Sequence, residues 1–234
     1  MGLCWNNYLK KKLSLKNEES SGRQPKVKNI NLNNNNNNNN YNIFKKQVLE
    51  KPYIHAFWSN TFEVDINWSV LYHSFRFSCP DNRIKAFKYK LIHNIIPTRE
   101  NLHRWRILDS PECLHCNTKD NYLHFFISCK CLDIFWNTCS NTFKTCGIQH
   151  NMRDLKHIVL GYKFIYKENT GINTIINLIG FCIFKSYVIS EKRTTPYNIV
   201  KLLKYELFIL CTYLKNNNKS IGFITSFNDK LSLH

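Results

Sequence analysis

With 234 residues, 43% of them hydrophobic and 14% aromatic, the chain is long and apolar enough for one or two domains with a real core. Lysine and arginine outnumber aspartate and glutamate 33 to 16, a formal charge of +17. A core gains nothing from that excess, whereas phosphates neutralised by Lys or Arg release counterions, so nucleic acid is the leading partner class, with an acidic membrane surface behind it. The ten cysteines are unevenly spaced and residues 1–15 hold no apolar run long enough for a secretory signal. That combination argues against a disulfide framework and for a reduced, intracellular protein, nuclear or cytoplasmic.

In chain order, residues 1–45 are expected to be a disordered basic arm. Ser20, Ser21, Gly22 and Pro25 break any periodicity, and residues 33–40 are an unbroken asparagine run. Aromatic residues crowd between 53 and 77, and Trp68, Leu71, Tyr72 and Phe75 recur at helical spacing, which reads as core rather than as a base-stacking surface. The clearest helix spans residues 84–96, with Ile84, Phe87, Leu91 and Ile95 on one face and Lys88 at the edge of that stripe. Pro97 is expected to end it and Thr98 to cap a second helix over residues 99–107. That helix would turn Leu102 and Trp105 inward and Arg99, Arg104 and Arg106 outward.

After the turn signal Asp109-Ser110-Pro111, residues Leu132, Phe135, Trp136, Cys139 and Phe143 predict a further helix. Residues 145–157 read as a loop and Ile158-Val159-Leu160 as a short extended segment. Two long helices are expected over residues 173–190 and 197–215, the second with Leu202, Tyr205, Leu207, Phe208 and Ile209 on its apolar face. The window 172–190 is the most apolar, but Asn173, Asn177, Lys185 and Ser186 make it a buried helix rather than a membrane span. The fold class is therefore mainly α: a small helical domain built around a metal knuckle at residues 50–145, a helical extension at 155–215, and a tail at 216–234.

The chemistry-bearing set is Cys113, Cys116, His124 and Cys129. A tight two-residue turn lets Cys113 and Cys116 share one ion, and a short helix from about Asn121 carries His124 and releases Cys129 at its end. Structural zinc takes four sulfur and nitrogen ligands with no open position for water, so one structural Zn2+ is the expected cofactor. Cys131 in place of Cys129, and His115 in place of His124, stay open as alternatives. Three thiolates and a neutral imidazole leave a net charge of −1, which Lys119, Lys130, Arg104 and Arg106 can offset.

Residues 87–99 (Phe-Lys-Tyr-Lys-Leu-Ile-His-Asn-Ile-Ile-Pro-Thr-Arg), Leu102, Trp105, Ile107, the Cys-Cys-His-Cys set and Phe135-Trp136 together resemble the zinc-binding region that follows the polymerase in reverse transcriptases of non-LTR retrotransposons, closest to the long-interspersed-element type. The resemblance implies a domain that grips RNA or DNA beside a polymerase, with the four ligands and the Pro97-Thr98 corner carried over; Asp120 stands where the family has Glu. No Asp-Asp pair occurs anywhere in the chain, so the paired carboxylates of a polymerase are missing. The expectation is a stand-alone fragment without polymerase or endonuclease and without enzymatic activity. It would bind RNA more than DNA through Lys85, Lys88, Lys90, Arg99, Arg104 and Arg106, with no membrane and no small-molecule substrate. The competing expectations are a protein-interaction module and a decayed retroelement fragment.

Overall fold

The structure is a computed structural model that describes residues 53–78, 81–161, 170–190, 195–217 and 222–231. The expected disordered arm at residues 1–45 lies outside them. The described residues are helical, without a strand; their only β contact is an isolated antiparallel bridge between Glu112 and Lys119. In chain order the helices are α1 (Tyr53–Phe62), α2 (Trp68–Ser78), α3 (Asn82–Ile92), α4 (Arg99–Arg104), α5 (Asp133–Thr145), α6 (Leu155–Leu160), α7 (Thr170–Ser190), α8 (Pro196–Asn216) and α9 (Gly222–Leu231). Between α4 and α5 lie a π-helical turn (His124–Ser128) and a 3-10 turn (Lys130–Leu132).

Helix α7 is the centre. Residues 172–183 are all buried, and α7 packs against α2, α3, α6, α8, α9 and the π-helical turn. A helix apolar all round belongs inside a protein core. The stretch 171–188 is also long and apolar enough, by composition, to cross a membrane; here it is the element that the other helices cover. A single hydrophobic cluster runs from Trp58 to Leu231. The expected division into a knuckle domain at 50–145 and an extension at 155–215 is therefore corrected: Lys51–His234 is one compact unit. The cause is long-range packing, with Phe87 against Phe181 and Phe184 and Phe125 against Tyr187, which local periodicity does not encode.

The expected tail at 216–234 is corrected as well. Ile224, Phe227 and Leu231 recur at helical spacing in α9 and are buried, Phe227 lying 4.7 Å from Phe143 of α5. Lys230 donates to the Thr145 carbonyl at the end of α5, where the helix has unsatisfied acceptors. Residues 158–160 are not extended. Asp154 caps α6 by accepting from the Lys156 amide at 2.8 Å, and a short apolar run gives no period by which to tell helix from strand. On α8 the buried face is Ile199, Leu203, Leu207, Leu210, Cys211 and Leu214, whereas Tyr205 and Phe208, expected inside, are exposed.

Gly161 ends α6 at φ 86°, ψ 153°, a region open essentially to glycine alone. A Cβ there would lie 2.4 Å from Asn173 Oδ1 on the buried face of α7. Gly161→Ala adds backbone strain to a clash that the packed core cannot relieve. A loss of about 3 kcal/mol in unfolding free energy is expected in urea titration; an unchanged midpoint would show that this corner is not packed as described.

Candidate metal centre

The helix expected to run to residue 96 stops at Ile92. Asn94 takes φ 54°, its amide donates to Leu91 O (3.1 Å) and the Ile95 amide to Lys90 O (2.9 Å). This is a Schellman ending, and asparagine tolerates its left-handed position. Pro97 therefore follows a helix that has already closed, and Ile95 is exposed rather than on the buried face. Trp58 Nε1 donates to Ile92 O at 2.8 Å and occupies one of the carbonyls left at that end.

Thr98 caps α4 as expected, Oγ1 accepting from the Asn101 amide at 3.2 Å. Asn101 and Tyr122, which the sequence did not single out, hold the corner from inside. Asn101 Nδ2 donates to Ile96 O at 2.8 Å, and the Tyr122 hydroxyl accepts from the Ile96 amide at 3.0 Å. Both side chains are buried, where polar groups left without such bonds would be costly. Burial pushes the Tyr122 phenol up, so it stays neutral. Asp120 is buried too, and its Oδ2 accepts from the Arg99 amide at 3.2 Å. A carboxylate at the first turn of a helix is favourable, and this one ties α4 to the segment that follows the two-cysteine turn.

That turn is closed by Cys113 N to Thr118 O (2.7 Å) and Asn117 N to Cys113 O (3.0 Å), with Asn117 at φ 51°. On the other side, the Cys129 amide donates to His124 O at 3.1 Å, an i→i+5 bond. In an α-helix residues five apart point about 140° away from each other. The wider π-helical turn rotates less per residue and brings His124 and Cys129 toward one point. Asn121 Oδ1 accepts from the His124 amide at 2.9 Å, and Trp136 Nε1 donates to Phe126 O at 2.8 Å, so both flanks of the turn are pinned.

The ligand atoms of Cys113, Cys116, His124 and Cys129 lie within 4.8 Å of one another. Cys129 Sγ is 3.9 Å from Cys113 Sγ and 3.8 Å from Cys116 Sγ. Zinc–sulfur bonds of about 2.3 Å in a tetrahedron put sulfurs roughly 3.8 Å apart, whereas a disulfide would bring them to about 2 Å. The donor set therefore fits a tetrahedral thiophilic ion. His124 Nδ1 lies 3.2 Å from Thr118 Oγ1, which leaves Nε2 to face the sulfurs and fixes the tautomer through an outer partner. Of the two alternatives, Cys129 and His124 enter the cluster of ligand atoms, and Cys131 and His115 are not among its members. Burial pushes the thiols of Cys139 and Cys182 up, which keeps them as neutral core residues apart from this set.

The six cationic residues expected to meet phosphate are dispersed. Lys88 is corrected outright. It is 1% exposed, and its ammonium donates to the carbonyls of Ile158 (2.5 Å) and Val159 (3.2 Å) in the last turn of α6. Its stem lies along the apolar face of α3 and its head serves a helix terminus instead of solvent. Arg99 is half-buried, with Nη2 3.4 Å from Ser110 O. Lys85 is half-buried and Lys90 exposed, about 140° apart around α3. Arg104 and Arg106 are exposed at the end of α4. Trp105, expected inward, is 39% exposed because α4 closes one residue before it. Arg106 sits at φ 58°, a conformation that costs a non-glycine residue about 1 kcal/mol.

Arg153, unflagged in the sequence, donates to Ile127 O (2.7 Å) and to Asp133 Oδ1 (2.6 Å), clamping the π-helical turn to the start of α5.

Residues 29–136 match a family model described as zinc-binding in reverse transcriptase. The match includes all four cluster residues and the Thr98 corner and ends within α5, before α6 to α9 begin. No curated protein and no solved structure matches the chain.

Proposed function

We propose, for a chain whose residues 29–136 match a family model described as zinc-binding in reverse transcriptase, a zinc-stapled module that binds nucleic acid and performs no chemistry of its own. The observation that supports this reading best is the coupling of the cluster to a basic turn. Asp120, four residues beyond Cys116, carries the first turn of α4, and α4 ends on exposed Arg104 and Arg106. In a chain of +17 charge, that turn offers two guanidiniums to a phosphate backbone. Lys85 and Lys90 on α3 add to the attraction, and RNA is preferred over DNA.

Zinc, when bound by Cys113, Cys116, His124 and Cys129, supplies a cross-link; four protein ligands leave no position for a reacting water. Three thiolate ligands suit a reducing, intracellular setting. Polymerase chemistry is not part of the proposal, because the chain lacks a neighbouring aspartate pair. A second reading, a protein-binding module, rests on α8, where Tyr197, Tyr205 and Phe208 stand exposed beside Lys201 and Lys204.

The test is RNA affinity as a function of salt. Binding is expected to weaken steeply from low to moderate salt, and Arg104→Ala to flatten the logarithmic slope by about 0.7 to 0.9, one phosphate contact. Affinity indifferent to salt, or unchanged in Arg104→Ala, would favour the protein-binding reading.

A further inference from the structure

Trp105 is placed unlike the other described tryptophans. Trp58 and Trp136 are buried with their indole N–H groups on carbonyls, and Trp68 stacks on His55 at 4.0 Å. Trp105 is the C-cap of α4, and among the described residues its indole has no hydrogen-bond or ring partner. The turn that displays it is closed by two backbone hydrogen bonds. The Arg106 amide donates to His103 O and the Ile107 amide to Leu102 O, both at 2.8 Å, which completes a Schellman ending.

The same ending closes α3 on Asn94 and α5 on Gly147, residues suited to a left-handed backbone. At α4 the left-handed position is given to Arg106, a non-glycine residue that carries strain there and follows Trp105 directly in the chain. His103, Arg104 and Arg106 are exposed around Trp105, and the nearby Glu100 is paired with Lys119 at 2.7 Å. A partly exposed indole without a partner among the described residues, flanked in the chain by two exposed arginines, suits an anionic polymer whose bases are open to stacking.

We propose that Trp105 is a stacking platform for an unpaired base of single-stranded nucleic acid, with Arg104 and Arg106 holding the phosphates on either side. This rests on the nucleic-acid reading above and makes it narrower. Inside a duplex both faces of every base are covered, so Trp105 would favour single strands over paired ones.

The test uses the full chain with three probes of one sequence: single-stranded RNA, single-stranded DNA, and a duplex closed by hairpins so that no terminal base pair is open. Trp105→Ala is expected to weaken both single-stranded probes about tenfold and to leave the closed duplex unchanged, while Trp105→Phe retains most of the affinity. Arg106→Gly is expected to keep or raise the thermal midpoint, since it relieves the strained position, and to weaken all three probes. Equal losses on single strand and duplex in Trp105→Ala, or no loss, would overturn the stacking role and leave nucleic-acid binding standing. A wild-type chain that binds none of the probes at low salt would overturn both.

Discussion

Replacing Cys113 with Ser is expected to cost the chain its metal and, with it, the packing between Thr98 and Leu132. Cys113 is buried, 3.9 Å from Cys129 Sγ, and its backbone amide closes the turn onto Thr118. Structural zinc is worth on the order of 10 kcal/mol to a small domain, comparable to a domain's whole stability. The loss spreads because the cluster shares its core with helices on either side of it: Phe125 and Phe126, inside the π-helical turn, pack against Tyr187 of α7, outside the matched segment, and Phe87 of α3, within it. Chelation of the wild type should lower its thermal midpoint sharply, and added zinc should restore it. Cys131→Ser is the control. Its sulfur lies outside the cluster, so that variant should keep both metal and midpoint.

Lys88→Met is expected to be the second most damaging change, through stability and not through binding. The ammonium is buried against the Ile158 and Val159 carbonyls, and both of those residues are buried themselves. A methionine fills most of the volume but leaves two buried acceptors at the end of α6 without their donor. Each orphaned group costs about 1 to 3 kcal/mol, so a loss of roughly 3 kcal/mol is expected in urea unfolding. Where the fold is intact, RNA affinity should not change. An unchanged midpoint with weakened RNA binding would return Lys88 to the phosphate-contacting surface that its charge alone suggests.

That lysine shows where sequence reading reaches its limit. The ligand spacing was legible because metal coordination is local: Cys113, Cys116, His124 and Cys129 lie within one short stretch, and the structure brings the same four together. The long helices α7 and α8 were legible from length and apolar content, and the α5 helix from its period. What was not legible depends on partners far along the chain. Lys88 lies seventy residues from the carbonyls it serves. Asn101 and Tyr122 matter only because both reach the Ile96 corner, and Thr118 only because it meets His124 Nδ1. Helix α9 reads as a tail in the sequence because four apolar residues spread among Ser, Thr, Asn and Asp give a weak signal; its place is decided by Phe143 across the core.

The end of α3 carries a related lesson. Proline was the visible stop, but the asparagine before it had already turned the backbone left-handed, three residues earlier than expected. A Schellman ending leaves a fainter mark than Pro97, since any tolerant residue can occupy it, and Arg106 shows that even an intolerant one can.

The most direct measurement is metal content with coordination, by elemental analysis and X-ray absorption on the purified full chain beside Cys113→Ser. One zinc per chain in a shell of three sulfurs and one nitrogen, absent from the variant, is the expected result. A wild-type chain that is folded and free of metal would contradict it.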